Sequence, residues 1–138
     1  ETLWQQAYPS ECVIVRPTGI YGTSVTRMIK LAGTTKSYPK LHWSNRIHVD
    51  DLAAFLAHLL HVEHTEKSYI CSNSQPLPLH EIMQWFQQQL GLPVLVLESD
   101  VPSGKQIYAT RMQQMNFELQ HPHCFDDYLA LLAERESK

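Results

Sequence analysis

The run Cys12–Val15 constrains the fold more than any other part of the sequence, because four apolar residues follow one another without a polar one. A strand that is apolar at every position is typical of a parallel sheet, in which helices cover both faces. Pro17 has no backbone N–H to donate to a neighbouring strand, so we predict that the strand ends there. Gly19 and Gly22 mark the loop that follows.

The rest of the sequence alternates between short apolar runs and amphipathic segments, which is the order of an α/β fold. We predict strands near residues 41–48, 67–72 and 93–98, and helices near residues 24–32, 50–63, 78–90, 104–115 and 125–135. In the last helix, the residues predicted to face inward are Phe125, Leu129, Leu132 and Ala133. One domain is expected for 138 residues.

The helix that follows residue 49 carries a wide apolar stripe. Asp50 or Asp51 is predicted to cap its N-terminus. The stripe consists of Leu52, Phe55, Leu56, Leu59 and Leu60. Three histidines, at positions 58, 61 and 64, are predicted to lie on the opposite, polar face of the helix. We expect that face to contact solvent rather than a metal ion, because no acid or thiol completes a ligand set.

Composition argues against several classes of function. The formal net charge is −3 and the sequence has no lysine or arginine cluster, so no nucleic-acid partner is expected. No apolar run approaches the roughly 18 residues of a membrane-spanning helix, so no membrane partner is expected either. Three widely spaced cysteines without a CxxC pair predict reduced thiols in a cytoplasmic protein. His121 and Cys124 flank a proline, but two ligands do not make a metal site.

Two segments are candidates for ligand binding. Residues 16–22 follow the predicted buried strand, and ligands of open α/β sheets bind beyond the carboxyl ends of strands. A flat ring could approach this Pro-Thr-Gly backbone closely, although an ordinary exit from a strand would have the same sequence. In the second segment, Arg46 and His48 share one strand face next to Asn45. The alternative there is structural: Arg46 pairs with Asp50 or Asp51, and His48 helps to cap the helix.

The motifs of a complete active site are absent from the sequence. It contains no GxGxxG loop, no P-loop and no nucleophile elbow. None of the six tyrosines has a lysine four residues later. These patterns therefore single out no catalytic residue.

The segments "VIVRPTGIYG" and "NRIHVDDLAAFLAHLL" together resemble the extended short-chain dehydrogenase/reductase superfamily, and more narrowly its NAD-dependent epimerase/dehydratase group. "SYICSNSQPLPLHEIMQWFQQQLGLP" resembles the strand, turn and helix that follow in that family. "GKQIYATRMQQMNFELQHPHCFDDYLALL" is similar to its C-terminal end. The resemblance is closest from about residue 12 to residue 91 and covers most of the chain.

The resemblance implies a fold and a chemistry. Such proteins have an N-terminal NAD(P)-binding Rossmann domain and a smaller α/β substrate-binding domain, and a tyrosine and a lysine on one helix support hydride transfer. Residues 1–138 would form a single unit: the end of the catalytic helix and the last Rossmann elements, interleaved with the C-terminal substrate-binding domain. Glu1 matches a glutamate that follows the missing lysine closely, so the dinucleotide-binding half is expected to be absent. The chain would then be inactive by itself.

The resemblance also assigns site residues. It places Pro17, Thr18, Gly19 and Ile20 against the nicotinamide-ribose end of NAD or NADP. It places the substrate cleft near Tyr21, Arg27, Asn45, Arg46 and His48.

One departure from the family affects the expected substrate. Nucleotide-sugar enzymes of the family often have an arginine three residues before the isoleucine of "IHV", where it holds the diphosphate. Here that position is Ser44, and the arginine is Arg46, directly before the isoleucine. An arginine on the other face of the strand could not form the same bidentate contact with the diphosphate. Nucleotide-sugar substrates are therefore not expected. Thr23 replaces the proline that often follows "YG".

Three hypotheses follow. The first is the substrate-binding half of an NAD(P)-dependent epimerase, dehydratase or reductase, whose partners are a small-molecule substrate and the missing N-terminal half. The second is a non-catalytic module on the same fold, which senses NAD(P) or binds a protein. The third is a truncation product whose exposed apolar surface and strand edges cause it to form homo-oligomers.

Overall fold

The computed structural model describes residues 1–137 and has alternating helices and short strands. Its helices are α1 (Thr2–Ala7), α2 (Thr26–Thr34), α3 (Val49–Leu59), α4 (Leu79–Gln89), α5 (Thr110–Gln114) and α6 (Cys124–Glu136). Its strands are β1 (Ile14–Pro17), β2 (Gly19–Tyr21), β3 (Ser37–Tyr38), β4 (Leu41–Ser44), β5 (Arg46–His48), β6 (Ser68–Cys71), β7 (Leu77–Pro78), β8 (Val96–Leu97) and β9 (Pro102–Gly104).

Parallel pairing dominates the sheets. β1 pairs with β6, β2 with β5 and β3 with β8, all in parallel. β4 lies between β9, which is parallel to it, and β7, which is antiparallel. The pairing of β2 with β5 places Gly19 opposite Arg46 and Tyr21 opposite His48, so the two segments singled out in the sequence are neighbours.

The first strand is parallel as predicted, but it is not buried on both faces. It begins at Ile14, two residues later than the apolar run, and ends at Pro17. Ile14 and Val15 are half-buried and Arg16 is exposed. Within residues 1–137 only β6 pairs with this strand, so its other edge has no neighbouring strand to cover it.

Two buried clusters alternate along the chain. The first packs α3 and α5 against β5 and β6 and consists of Ile47, Phe55, Tyr69, Cys71, Ala109 and Met112. The second packs α2, α4 and α6 together and consists of Val25, Ala32, Ile82, Phe86, Cys124, Tyr128 and Leu132. The chain passes from one cluster to the other several times, because α2 and α6 belong to the second while α3 and α5 belong to the first.

The start of α3 differs from the prediction. The helix begins at Val49, and its cap is the His48 side chain, whose Nδ1 accepts a hydrogen bond of 3.0 Å from the Asp50 N–H. Asp50 and Asp51 lie inside the first turn, so neither is the cap. The helix ends at Leu59, and two residues of the predicted stripe are exposed, Leu56 at 45% and Leu60 at 84%, so the apolar stripe is smaller than predicted.

The inward face of α6 is also different from the prediction. Cys124, Tyr128 and Leu132 are spaced by four residues, share one face of the helix and point into the second cluster. Leu129 is 52% exposed and Ala133 is exposed, so the prediction was wrong for these two residues. None of the helices within residues 1–137 has the length and apolar character needed to cross a membrane.

Candidate functional site

A cavity of about 250 Å³ lies where the chain leaves β1 and runs on into β2, beside the start of β5. It is lined by residues 19–24, 27–28 and 44–46, together with Leu79, Ile82 and Tyr128. Helices α2, α4 and α6 of the second cluster therefore form one wall, and the paired strands β2 and β5 form the other.

The cavity brings together most of the residues that the sequence assigned to a site. Four of the five predicted substrate residues line it, namely Tyr21, Arg27, Asn45 and Arg46. Two of the four predicted cofactor residues, Gly19 and Ile20, line it as well. His48, Pro17 and Thr18 are not among its lining residues.

Arg46 is the most deeply buried charged residue of the cavity wall, at 4% exposure. Its Nη1 donates to the backbone oxygen of Gln75 at 3.2 Å, and its Nη2 donates to Ser44 Oγ at 2.5 Å. Arg46 also forms a side-chain hydrogen bond with Cys124, and the alternative in which it pairs with Asp50 or Asp51 is wrong, because its hydrogen-bond partners are these neutral groups.

The inference that Arg46 lies on the wrong strand face is also wrong. Ser44 and Arg46 are two residues apart, and side chains two apart in extended chain point to the same side. Both line the cavity, and they are hydrogen-bonded to each other. The argument against nucleotide-sugar substrates that rested on strand face therefore no longer holds.

Asn45 has a structural role in the cavity wall. Its side-chain nitrogen donates to the Lys105 carbonyl oxygen at 2.7 Å, and its side-chain oxygen accepts from the Ile107 N–H at 2.9 Å. The amide is thus engaged at both ends by the backbone of residues 105–107. This pair of bonds holds the segment that leads into α5 against the start of β5.

A hydrogen-bonded network lies behind Tyr21. The Tyr21 hydroxyl donates to Asp127 Oδ2 at 2.6 Å, and the other oxygen of Asp127 lies 2.6 Å from His121 Nδ1. Burial and the Asp127 carboxylate raise the pKa of Tyr21 well above its usual value. Tyr21 therefore stays a neutral hydroxyl, which suits positioning a ligand and does not suit proton abstraction.

His48 lies behind the cavity wall, at 5% exposure. Its ring stacks on that of His121, with centroids 3.6 Å apart and planes inclined by 7°, and it meets the Tyr21 ring edge-on at 5.1 Å. A Cβ atom built on Gly22 would lie 2.4 Å from His48 Nε2, so the backbone of Gly22 packs directly on the imidazole. The structure thus gives His48 a role in capping and packing.

His48, His121 and Asp127 could in principle hold a metal ion, since their candidate ligand atoms lie within 4.8 Å of one another. Their present contacts do not favour it. Stacked parallel imidazoles direct their nitrogen lone pairs along parallel planes, so the two rings do not converge on one ion. In addition, the carboxylate of Asp127 is already shared by Tyr21 and His121.

Sequence reasoning missed the network of Asp51, His121 and Asp127. Asp51 is fully buried, and its two oxygens accept from the backbone N–H groups of Gln120 and His121 at 2.8 and 2.9 Å. These contacts join residues about 70 positions apart, and the contact of Tyr21 with Asp127 spans 106 positions. No periodicity or spacing rule indicates pairs at such distances.

The predicted cofactor segment forms an exposed strip at the end of β1. Pro17 and Gly19 are exposed, and Ile20 is 55% exposed although it is apolar and lies in a strand. Thr18 is held in place because its N–H and its hydroxyl both donate to the Cys71 carbonyl oxygen, at 3.1 and 3.2 Å. The strip is therefore exposed and partly apolar, on a backbone that is fixed at Thr18.

Comparison with solved structures identifies the fold. A Methylobacillus flagellatus protein assigned to the NAD-dependent epimerase/dehydratases is 32% identical, with a TM-score of 0.72, over 97% of this chain and 52% of that one. The dTDP-glucose 4,6-dehydratase of Bacillus anthracis, solved in complex with NAD, is 15% identical, with a TM-score of 0.70, over 98% of this chain and 48% of that one. The chain has the fold of the C-terminal half of an extended short-chain dehydrogenase/reductase.

A third solved structure agrees with this assignment. The UDP-N-acetylglucosamine 4-epimerase of Bacillus cereus is 12% identical, with a TM-score of 0.64, over 94% of this chain and 51% of that one. The chain thus spans about half the length of the structures that it matches. No family model matches the sequence, and no curated protein matches it.

Proposed function

We propose that this chain is the substrate-binding half of an NAD(P)-dependent epimerase, dehydratase or reductase that acts on a small molecule. The observation that carries the proposal is the single cavity lined by both the Gly19–Tyr21 strand and the Asn45–Arg46 pair. Residues assigned to the cofactor and residues assigned to the substrate meet there, as they must in an enzyme that moves a hydride between the two.

The strip of residues 17–20 would hold the nicotinamide end of NAD or NADP. When bound, that cofactor accepts or donates the hydride. The chain's own part is to bind and orient: Ile20 offers an apolar surface, and Arg27 and Arg46 offer N–H donors to the second ligand. The choice between NAD and NADP depends on residues of the dinucleotide-binding domain, which this sequence does not contain.

Catalysis would need a second part of the protein. No tyrosine here is followed by a lysine at the fourth position, and Tyr21 is held neutral by burial and by Asp127. The chain by itself is therefore proposed to be inactive, with an N-terminal dinucleotide-binding half as its partner. The three cysteines are free, which favours the reducing environment of the cytoplasm for this protein.

The proposal predicts that Ile20→Asp weakens dinucleotide binding by the protein as it occurs in its source. A carboxylate at this exposed position places a negative charge against the nicotinamide ring and near the phosphates of the dinucleotide. It does so without disturbing the core of the protein. We expect the Kd for NADH or NADPH, measured by nicotinamide fluorescence, to rise by about tenfold or more. Val96→Asp is the matched control, because Val96 is also an exposed apolar strand residue and lies outside the cavity.

Two outcomes contradict the proposal. If the unaltered protein binds neither NADH nor NADPH, the oxidoreductase assignment fails. If Ile20→Asp and Val96→Asp weaken binding equally, residues 17–20 are not the nicotinamide site. Tight dinucleotide binding without turnover of any added substrate would instead favour the non-catalytic NAD(P)-sensing module.

A further inference from the structure

Tyr128 contributes a buried hydroxyl to the helix wall of the cavity. The residue lies in α6, is 6% exposed and is one of the lining residues. Its ring packs on other aromatic rings, but within residues 1–137 its hydroxyl forms no hydrogen bond with another protein group. A buried hydroxyl without a partner is costly, so its place in a cavity wall needs an explanation.

The Tyr128 hydroxyl is open to the cavity. Among the side chains that the structure describes, His80 Nδ1 is the buried polar atom that lacks both a hydrogen-bond partner and solvent contact, so the Tyr128 hydroxyl is not sealed off in this way. The small part of Tyr128 that is not covered by protein lies in the cavity wall. Whatever fills the cavity, water or a ligand, can therefore hydrogen-bond to this hydroxyl.

Aromatic neighbours hold the Tyr128 ring in place. The ring centroids of Phe86 and Tyr21 lie 5.0 and 5.3 Å from its own. Those of Trp85 and Phe125 lie 6.2 and 6.5 Å away. Because a ring that is packed on several sides cannot turn aside, the hydroxyl is presented to a ligand at a fixed position.

Two other tyrosines of the structure show the usual arrangement. The Tyr21 hydroxyl donates to Asp127 Oδ2 at 2.6 Å, and the Tyr69 hydroxyl accepts from the Glu66 N–H at 2.9 Å. Tyr128 differs from both, because the protein supplies no partner for its hydroxyl. Packing alone does not account for the difference, since a phenylalanine would fill the same space without a polar group to satisfy.

The surroundings of Tyr128 favour an uncharged oxygen as its partner. Met28, Leu79 and Ile82 make the neighbouring part of the helix wall apolar. Burial raises the pKa of Tyr128 to about 12, so the side chain is a neutral hydroxyl that can donate one hydrogen bond. A charged group against this wall would lose its hydration in exchange for one neutral donor, whereas a hydroxyl or carbonyl oxygen costs less to desolvate.

We propose that Tyr128 is a specificity-determining residue whose hydroxyl binds a hydroxyl or carbonyl oxygen of the molecule that enters the cavity. Calling that molecule the substrate rests on the proposed function. The binding site itself rests on the burial, the packing and the unpaired hydroxyl of Tyr128. A ligand that displaces water and has no oxygen at this position leaves the hydroxyl unpaired, so the cavity selects against it.

The first measurement is thermal unfolding, without ligand, of the protein as it occurs in its source. Tyr128→Phe should leave the Tm unchanged or raise it, because the lost hydroxyl has no partner in the fold. Tyr69→Phe is the control and should lower the Tm by about 2–4 °C, because the Tyr69 hydroxyl accepts from the Glu66 N–H. An equal loss in both variants would mean that the Tyr128 hydroxyl is bonded within the fold, which overturns the proposal.

The second measurement is a titration with phenol and with toluene, followed through the ¹³C-labelled methyl group of Met28 in the cavity wall. The two probes share one ring and differ in a hydroxyl against a methyl group. We expect Tyr128→Phe to lower the ratio of phenol affinity to toluene affinity about tenfold and to leave toluene binding unchanged. Tyr108→Phe is the matched control and should keep the ratio, because Tyr108 is exposed and lies outside this cavity.

The outcomes are separable from the failure of the proposed function. The same affinity ratio in Tyr128→Phe and in the unaltered protein, or no saturable binding of phenol, overturns the Tyr128 site even if the protein binds NADH. An equal fall of the ratio in Tyr108→Phe overturns it as well. Neither measurement uses a dinucleotide, so a protein that binds neither NADH nor NADPH would overturn the proposed function and leave the result for Tyr128 standing.

Discussion

Gly22 shows how one residue can fix the geometry behind the cavity. Its φ of +117° lies in the left-handed region that favours glycine, and its Cα faces the His48 ring with no space for a side chain. The chain turns here between β2 and α2, so the turn and the stacked histidines depend on the same missing Cβ atom.

Gly22→Ala should destabilise the protein by about 2 kcal/mol or more, because the backbone is strained for alanine and the Cβ atom meets His48 Nε2. Gly33→Ala is the control, since Gly33 is helical and has open space where its Cβ atom would lie. It should be neutral or stabilise by about 0.5–1 kcal/mol. Urea unfolding of both variants measures the free energies, and equal values would show that Gly22 is not constrained by His48.

The ionisation of His121 depends mainly on Asp127. The hydrogen bond to the Asp127 carboxylate raises the pKa of His121 above its usual value of 6.5, and burial opposes it. Because the folded pKa is raised, this contribution to stability is fully present below pH 6.5 and is lost as the pH rises through the folded pKa.

Asp127→Asn should therefore lower the pKa of His121 and remove that part of the pH dependence of stability. A ¹H NMR titration of the His121 ring proton measures the pKa directly. Asp126→Asn is the matched control, because Asp126 is an exposed neighbour in the same helical turn. A His121 titration curve that is the same in Asp127→Asn and in the unaltered protein would contradict the account.

At the scale of elements, α3 is the anchor for the segment that enters α6. The carboxylate of Asp51 in the first turn of α3 binds two consecutive backbone N–H groups, those of Gln120 and His121. This contact brings His121 and Asp127 to the back of the cavity. The first cluster, to which α3 belongs, and the second, to which α6 belongs, are thereby joined by a buried charge.

Asp51→Asn should cost about 2–4 kcal/mol of stability, since it replaces a charged acceptor of two backbone donors by an amide that can accept at one end only. Asp50→Asn should cost less than about 1 kcal/mol. The Asp50 side chain is 72% exposed, and its carboxylate comes no closer than 3.6 Å to His121 Nε2, so the ion pair is weak. Thermal unfolding compares the two variants. A similar loss for both would mean that the buried contact does not join the clusters.

Sequence patterns predicted the presence of the helices better than they predicted the caps and the buried faces. The helix predicted near residues 78–90 is found at Leu79–Gln89, because its apolar spacing is regular. The cap of α3 was wrong because two aspartates and a histidine in sequence offer three possible caps, and only the backbone geometry decides between them. The buried face of α6 was wrong at Leu129 and Ala133 because apolar residues occupy two adjoining faces of this helix, and packing on the second cluster selects the face with Cys124, Tyr128 and Leu132.

The candidate site was predictable only in part, because local sequence patterns do not encode the contacts between distant segments. The resemblance brought Tyr21, Arg27 and Arg46 to one cleft, and the structure gathers them around one cavity. It did not indicate that the Asn45 amide binds the backbone of residues 105–107. Such contacts depend on where distant loops pack, which local patterns do not encode.

At the scale of the whole molecule, the fold is that of half of a larger enzyme type. The chain spans about half of each structure that it matches, and within residues 1–137 only one edge of β1 is paired. Large apolar side chains such as Leu3, Trp4 and Leu60 are 81%, 65% and 84% exposed. Self-association through such surfaces stays a prediction, and docking of a dinucleotide-binding half is the central proposal.

The most direct test of the central claim is the intact mass of the protein isolated from its source, read with the coding sequence upstream of Glu1. The account predicts a protein of about twice this length, whose upstream part contains a glycine-rich loop and a Tyr-x-x-x-Lys pair. A protein that begins next to Glu1, without those motifs, would contradict it. The fold would then belong to a binding module, and the cavity of Arg46 would have to be explained without a hydride transfer.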